Sequence, residues 1–201
     1  MKTDVIRVST GTNRIGTMLE LADKVAEFQG LRGRDALHLR LLTEEMAGLM
    51  HSITGENEGS FWIEAEDGEY QLHLSVRTLL NSERKEKLLA ASSSGKNESA
   101  KGLMGRLRDF FDWGSYEEFE MYSSPLLMPD MLEHSSSPML DLEWSMSRYE
   151  SALYEKVQAR DPAALEAWDE LEQSVVKNVA DDVRVSIRGG IVEMTILKKL
   201  G

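Results

Sequence analysis

The chain has no cysteine among its 201 residues. That excludes disulfides, thiolate metal sites and a cysteine nucleophile, and it fits a reducing compartment. Proline is scarce, four in all, and three of these fall between residues 115 and 147. No run approaches the roughly eighteen consecutive apolar residues of a membrane-spanning helix. The opening residues, MKTDVIRVST, lack the apolar stretch of a secretory signal. Cytoplasmic residence is the expectation. Basic residues are outnumbered, 23 Lys and Arg against 35 Asp and Glu, for a net charge of −12. Nucleic acid and anionic membrane both require a basic surface, so neither is an expected partner.

What is present is the pattern of a folded α+β protein. Val5 to Val8 alternates in hydropathy and reads as a short strand. Residues 13–29 repeat apolar side chains at three and four (Ile15, Met18, Leu19, Ala22, Val25, Ala26), with Gly30 just past the end. A second helix is predicted from Arg34 to about Gly55. Two strands follow, Phe61 to Ala65 and Tyr70 to Val76, joined by Asp67-Gly68, a strong hairpin signal. Residues 82–91 and 101–113 read as further helices. Near the C-terminus Val183, Val185 and Ile187, a Gly189-Gly190 turn, and Ile191 to Leu197 predict a second hairpin. Paired strands and consecutive helices, without regular alternation, favour a two-layer α+β sandwich with helices on one face of a mixed or antiparallel sheet. No internal repeat is visible.

The middle changes character at Gly114. Residues 115–147 carry a serine triplet and methionines at 121, 128, 131, 139 and 146, and read as irregular chain. Two helices follow. The second has Asp161 at the N-cap, Pro162 at the first position, and Leu165, Trp168, Leu171 and Val175 on one expected face. The expected organisation is a sandwich of residues 1–113 plus 182–201, with residues 114–181 as a helical, methionine-rich insertion. Its methionines suit core filling first and an adaptable partner-binding surface second.

One carboxylate is out of place. Leu42, Met46, Leu49, Met50 and Ile53 form the apolar stripe of the second helix, and Glu44 lies beside Arg40 on its wettable side. The neighbours of Glu45 one turn away are Leu41, Leu42, Gly48 and Leu49. Desolvating a carboxylate is costly, so Glu45 is expected to have a partner or to line a cavity.

Leu39, Leu41, Glu44 and Glu45, together with the order of elements, resemble the GHKL (Bergerat-fold) ATPases. Within that superfamily the anti-sigma-factor serine kinases and related histidine-kinase-like ATP-binding domains are the nearest likeness. The motif LxLxxEExxxNxxxH of that family places its activating Glu at Glu45 and its magnesium-holding Asn at Leu49. The Asp that grips the adenine amino group aligns near Thr78, where the Asp and its following glycines are absent. The GxGL-like turn has its counterpart in Lys101-Gly102-Leu103-Met104-Gly105, where glycines at a helix start let backbone amides approach phosphate. The resemblance covers roughly residues 3–113 and 182–198. It implies Glu45 as the catalytic position and Leu49, Thr78, Gly102 and Gly105 as the cofactor-binding positions, the first two degenerate.

The expected function is that of a cytoplasmic regulatory protein on a degenerate histidine-kinase-like scaffold, acting on a protein partner without turnover and without a cofactor. The alternatives are an ATP-binding serine kinase of the anti-sigma type, using ATP with magnesium, and a small-molecule sensor using the former nucleotide cavity. Homo-oligomerisation stays open. The four histidines (His38, His51, His73, His134) fall on different elements without paired-ligand spacing, so no metal site is expected. No nucleophile elbow surrounds any of the serines.

Overall fold

The structure, a computed structural model, describes residues 1–9, 15–54, 58–77, 142–188 and 191–201. The predicted helices at 82–91 and 101–113, the irregular chain up to residue 141, and Thr78, Gly102 and Gly105 lie outside the described residues.

Local signals set the first half. Strand β1 (Ile6–Ser9) leads to helix α1 (Ile15–Phe28), whose buried residues are Met18, Ala22, Val25 and Ala26. Gly30, at φ 71°, ends α1. The amide of Leu31 reaches back to the Ala26 carbonyl at 2.8 Å and that of Gly30 to Glu27 at 3.1 Å, the paired bonds of a Schellman cap. Helix α2 (Arg34–Thr54) buries Leu39, Leu42, Met46 and Ala47. The fully buried hydroxyl of Thr43 donates to the Leu39 carbonyl at 2.8 Å, which satisfies it within the helix.

Strands β2 (Glu58–Glu66) and β3 (Glu69–Arg77) form the first hairpin. Asp67 at φ 49° and Gly68 at φ 80° supply the left-handed turn that matches the twist of the strands. At Gly68 a Cβ would also lie 3.1 Å from the Leu200 carbonyl, so both conformation and space favour glycine there.

The second half begins with β4 (Leu142–Ser145), a strand where the sequence reading has irregular chain. Leu142 and Trp144 alternate with the polar Glu143 and Ser145, a short period-two signal inside the proline- and serine-rich stretch, and pairing with β5 defines the segment as a strand. Helices α3 (Met146–Gln158), α4 (Pro162–Glu172) and α5 (Val175–Val179) follow, then the hairpin β5 (Asp182–Arg188) and β6 (Ile191–Lys199). Asp161 caps α4 as expected, accepting from the amides of Ala163 and Ala164 at 2.8 and 3.2 Å.

The buried face of α4 is Ala164, Ala167 and Leu171. Of the expected stripe, Leu171 is buried and Trp168 is partly buried against the core, whereas Leu165 is 45% exposed and Val175, in α5, 42% exposed. Helix α3 packs against α4, and small alanines let two helices approach closely. Trp168 also meets the exposed Tyr154, ring centroids 5.8 Å apart.

The sheet has six strands in the order β1-β2-β3-β6-β5-β4, with every neighbouring pair antiparallel. Alternate residues of the strands share one buried cluster with the helices, among them Phe61, Leu72, Val183 and Ile196 with Met18, Leu42, Leu153 and Leu171. The architecture is therefore an α+β sandwich with an antiparallel sheet, both hairpins in it and both N-terminal helices on one face. Residues 142–181 supply the edge strand β4 and contribute Trp144, Met146, Tyr149 and Val176 to the same core.

The strand order is also a palindrome. Each half runs strand, helices, hairpin, and the two hairpins meet where β3 pairs with β6, so the fold repeats a unit that the sequence does not show.

Candidate functional site

Glu45 is the one predicted site residue whose side chain is described. It lies midway along α2, half-buried, between the buried Leu42 and Met46 and the exposed Glu44. Among the described residues its carboxylate has no hydrogen bond or ion pair. Burial first, and the neighbouring Glu44 charge second, push its pKa above the ordinary 4.5. Arg40, the cation nearest in sequence, is engaged by Asp23 of α1. Leu49 falls on the same helix, one turn further on, and only its backbone is described. Thr78, Gly102 and Gly105 lie outside the described residues.

A second constellation occupies the sheet face opposite the helices. The two-residue turn fixes the β2–β3 register so that Trp62 stands opposite His73. Their rings stack at 4.8 Å between centroids, with planes 5° apart. Trp62 Nε1 donates to Glu64 Oε1 at 2.9 Å, and Lys2 Nζ lies 2.8 Å from the same oxygen and 5.5 Å from the indole centroid. Lys2 is held there because residues 1–3 extend along β2, with the Thr3 amide donating to Ile63 and the Ala65 amide to Met1.

Across the central strand pair, His73 Nδ1 is 3.2 Å from Thr195 Oγ1. His73 Nε2 is buried and has no hydrogen-bond partner among the described residues; Glu64 Oε1 stands 3.9 Å away.

The electrostatics follow from these contacts. Hydrogen bonds from Lys2 and then Trp62 hold the Glu64 carboxyl below its ordinary range. Burial pushes the His73 imidazole below 6.5 and Lys2 adds to this, against the opposing charges of Glu64 and Glu193. The result is an imidazole biased towards its neutral form in an aromatic stack with a polar rim, an arrangement suited to contact and recognition. The sequence reading missed it, treating His73 only as a failed metal ligand. The signal that could have found it is the Asp67-Gly68 turn, which sets the register and thereby the Trp62–His73 pair. Among the described residues no group of three or more His, Cys, Asp or Glu side chains could hold a metal ion, and no helix is long and apolar enough to cross a membrane.

No family model, curated protein or solved structure matches the chain.

Proposed function

We propose that this chain is a cytoplasmic regulatory protein that acts by binding a protein partner through the sheet face opposite its helices, on a GHKL-type scaffold. The observation that carries the reading is the Trp62–His73 stack, rimmed by Lys2, Glu64 and Thr195. Stacked aromatic rings rimmed by polar groups have the composition of contact surfaces. The resemblance rests on Leu39, Leu41, Glu44 and Glu45 with the expected order strand, helix, helix, hairpin, helical segments and terminal hairpin; the described chain begins strand, helix, helix, hairpin and ends in the β5–β6 hairpin, with β4 and three helices before that last hairpin.

Glu45 favours a second reading, an ATP-binding serine kinase. A half-buried carboxylate without a described partner, with its pKa raised by burial, has the character of a general base. Leu49 at the magnesium position weighs against it, because magnesium takes oxygen ligands in near-octahedral geometry and leucine offers none.

Two measurements separate the readings. A photoreactive amino acid at Gln71, on the sheet face, is expected to cross-link one discrete protein in cells, while the same probe at Glu20 of α1 does not. Calorimetric titration with ATP and magnesium is expected to show no micromolar binding by the unmodified chain, with Leu49→Asn plus Thr78→Asp as the gain-of-binding control. Micromolar binding without those changes promotes the kinase, and a silent sheet face removes the partner-binding reading.

A further inference from the structure

Residues 1–3 join β2 separately from β1. Strand β1 pairs Ile6 with Phe61, whereas Lys2 pairs with Glu64. From Lys2 to Ile6 the chain takes four steps while β2 takes three from Glu64 to Phe61, so one extra residue is taken up between them. Such a bulge interrupts the ladder and sets the short segment apart from the strand that follows it. The Thr3 amide donates to the Ile63 carbonyl at 3.0 Å, the Ile63 amide to Thr3 Oγ1 at 3.0 Å and the Ala65 amide to the Met1 carbonyl at 2.8 Å; the Met1 amine also donates to the Ala65 carbonyl. On the sheet face the Lys2 ammonium adds its contact with Glu64. Ordering three residues costs entropy comparable to what a few exposed hydrogen bonds return, so the hold on the segment is sensitive to a single charge contact.

Glu64 Oε1 is contested. It accepts from Lys2 Nζ at 2.8 Å and from Trp62 Nε1 at 2.9 Å, and two donors occupy both of its lone pairs. His73 Nε2, buried and without a hydrogen-bond partner among the described residues, is 3.9 Å from the same oxygen. His73 is faced by Trp62 and Glu64 from β2, by Lys2 from the N-terminal segment, and by Thr195 and Glu193 from β6. Arg184 of β5, opposite Thr195, is engaged by Asp182. A proton on Nε2 would create a buried N–H donor and a positive charge at once. Thr195 can accept from Nδ1, because a hydroxyl both donates and accepts. Nε2 has Glu64 Oε1 at hand, and Glu193 favours the same charge from the β6 side, whereas Lys2 opposes it.

We infer that His73 is the catch of a proton-operated clasp: a proton taken up from solvent at Nε2 draws Glu64 away from Lys2 and frees residues 1–3 from β2. Lys2 is the donor that yields. It carries the like charge, and its ammonium, on a side chain 59% exposed, returns to water at little cost, while Trp62 Nε1 belongs to a ring held in the stack. Release leaves the Ile63 and Ala65 backbone groups open on the outer side of β2, a strand edge to which another extended segment can pair. The inference goes beyond the partner-binding reading and does not depend on it, because every group involved belongs to this chain.

The test uses the full, isotopically labelled chain alone. As pH is lowered from neutral, the His73 ring resonances report its titration. Amide hydrogen exchange, corrected for its intrinsic pH dependence, reports protection at Ile63 and Ala65. Protection at these two amides is expected to fall at least about tenfold with the midpoint of the ring titration, the mark of a local opening. Leu72 and Leu74 of β3, between β2 and β6, are expected to keep theirs. His73→Phe, which takes up no proton, is expected to abolish the step and to retain the protection of neutral pH. Lys2→Gln, at an exposed position, is expected to lower protection at Ile63 and Ala65 already at neutral pH. Four outcomes would each overturn the inference: a ring that titrates while protection stays unchanged, a loss that persists in His73→Phe, protection unaffected by Lys2→Gln, or a ring that takes up no proton before the whole sheet opens.

Discussion

His73 and Thr195 face each other across the central strand pair, 122 residues apart in sequence and 3.2 Å apart at Nδ1 and Oγ1. They mark the middle of the palindromic sheet, because β3 and β6 pair over nine residues each and His73 and Thr195 are the fifth residue of their strands. The hydrogen bond joins the two halves of the fold on the face away from the helices.

Burial places the His73 pKa below 6.5, so the unfolded chain takes up a proton that the folded protein resists. The stability tied to this group is complete above 6.5 and is lost as pH falls through the folded-state value. Melting temperatures on either side of 6.5 should show that loss, and His73→Phe, which keeps a stacking ring, should flatten it. An unchanged slope in His73→Phe would remove His73 as its source. In a variant retaining Trp62 alone of the four tryptophans, indole emission should change over the same pH range.

Glu45 predicts the opposite sign. Its folded-state pKa lies above 4.5, so ionised Glu45 costs stability once the pH rises past 4.5 through the folded value. Glu45→Gln should therefore raise the urea midpoint at neutral pH and leave it unchanged in acid. Destabilisation by Glu45→Gln at neutral pH would mean that the carboxylate is stabilised in the fold, and would remove its character as a candidate base.

Asp181 is held by the Lys198 ammonium at 2.8 Å and the Lys199 amide at 2.6 Å. Burial alone would raise its pKa, but these hydrogen bonds and the two lysine charges bring it below 3.8. The stabilisation is present above 3.8 and is lost as pH falls through the folded value. Asp181→Asn should lower the melting temperature at neutral pH, with the difference from the unmodified chain closing in strong acid.

The face of α4 can be tested by volume. Ala164→Leu adds atoms to a fully buried site and should cost about 1–3 kcal/mol by overpacking. Leu165→Ala, at an exposed position, should stay within about 0.5 kcal/mol. Denaturant unfolding of both variants checks the assignment, and the reverse ranking would restore the stripe expected from spacing.

Much of the candidate chemistry was legible only in part. Glu45 stood out because a helix repeats every 3.6 residues, so its neighbours Leu41, Leu42 and Gly48 could be read from spacing. The Trp62–His73 stack followed from one turn and one register, yet it carries no residue pattern of its own.

By itself the sequence determined the local elements: α1 with its glycine cap, α2, the Asp67-Gly68 hairpin, the Asp161 cap of α4 and the α+β class. Each rests on a period, a cap or a turn within a few residues, where backbone sterics and short-range hydrogen bonds decide. Only the tertiary structure decided that β3 pairs with β6, that β4 closes an edge, that Ala164 and Ala167 face the core, and that the fold repeats a unit across its centre. Those outcomes depend on which apolar faces cover one another at long range. Many unlike sequences satisfy the same burial, so the repeat of the fold can persist where no repeat of the sequence remains.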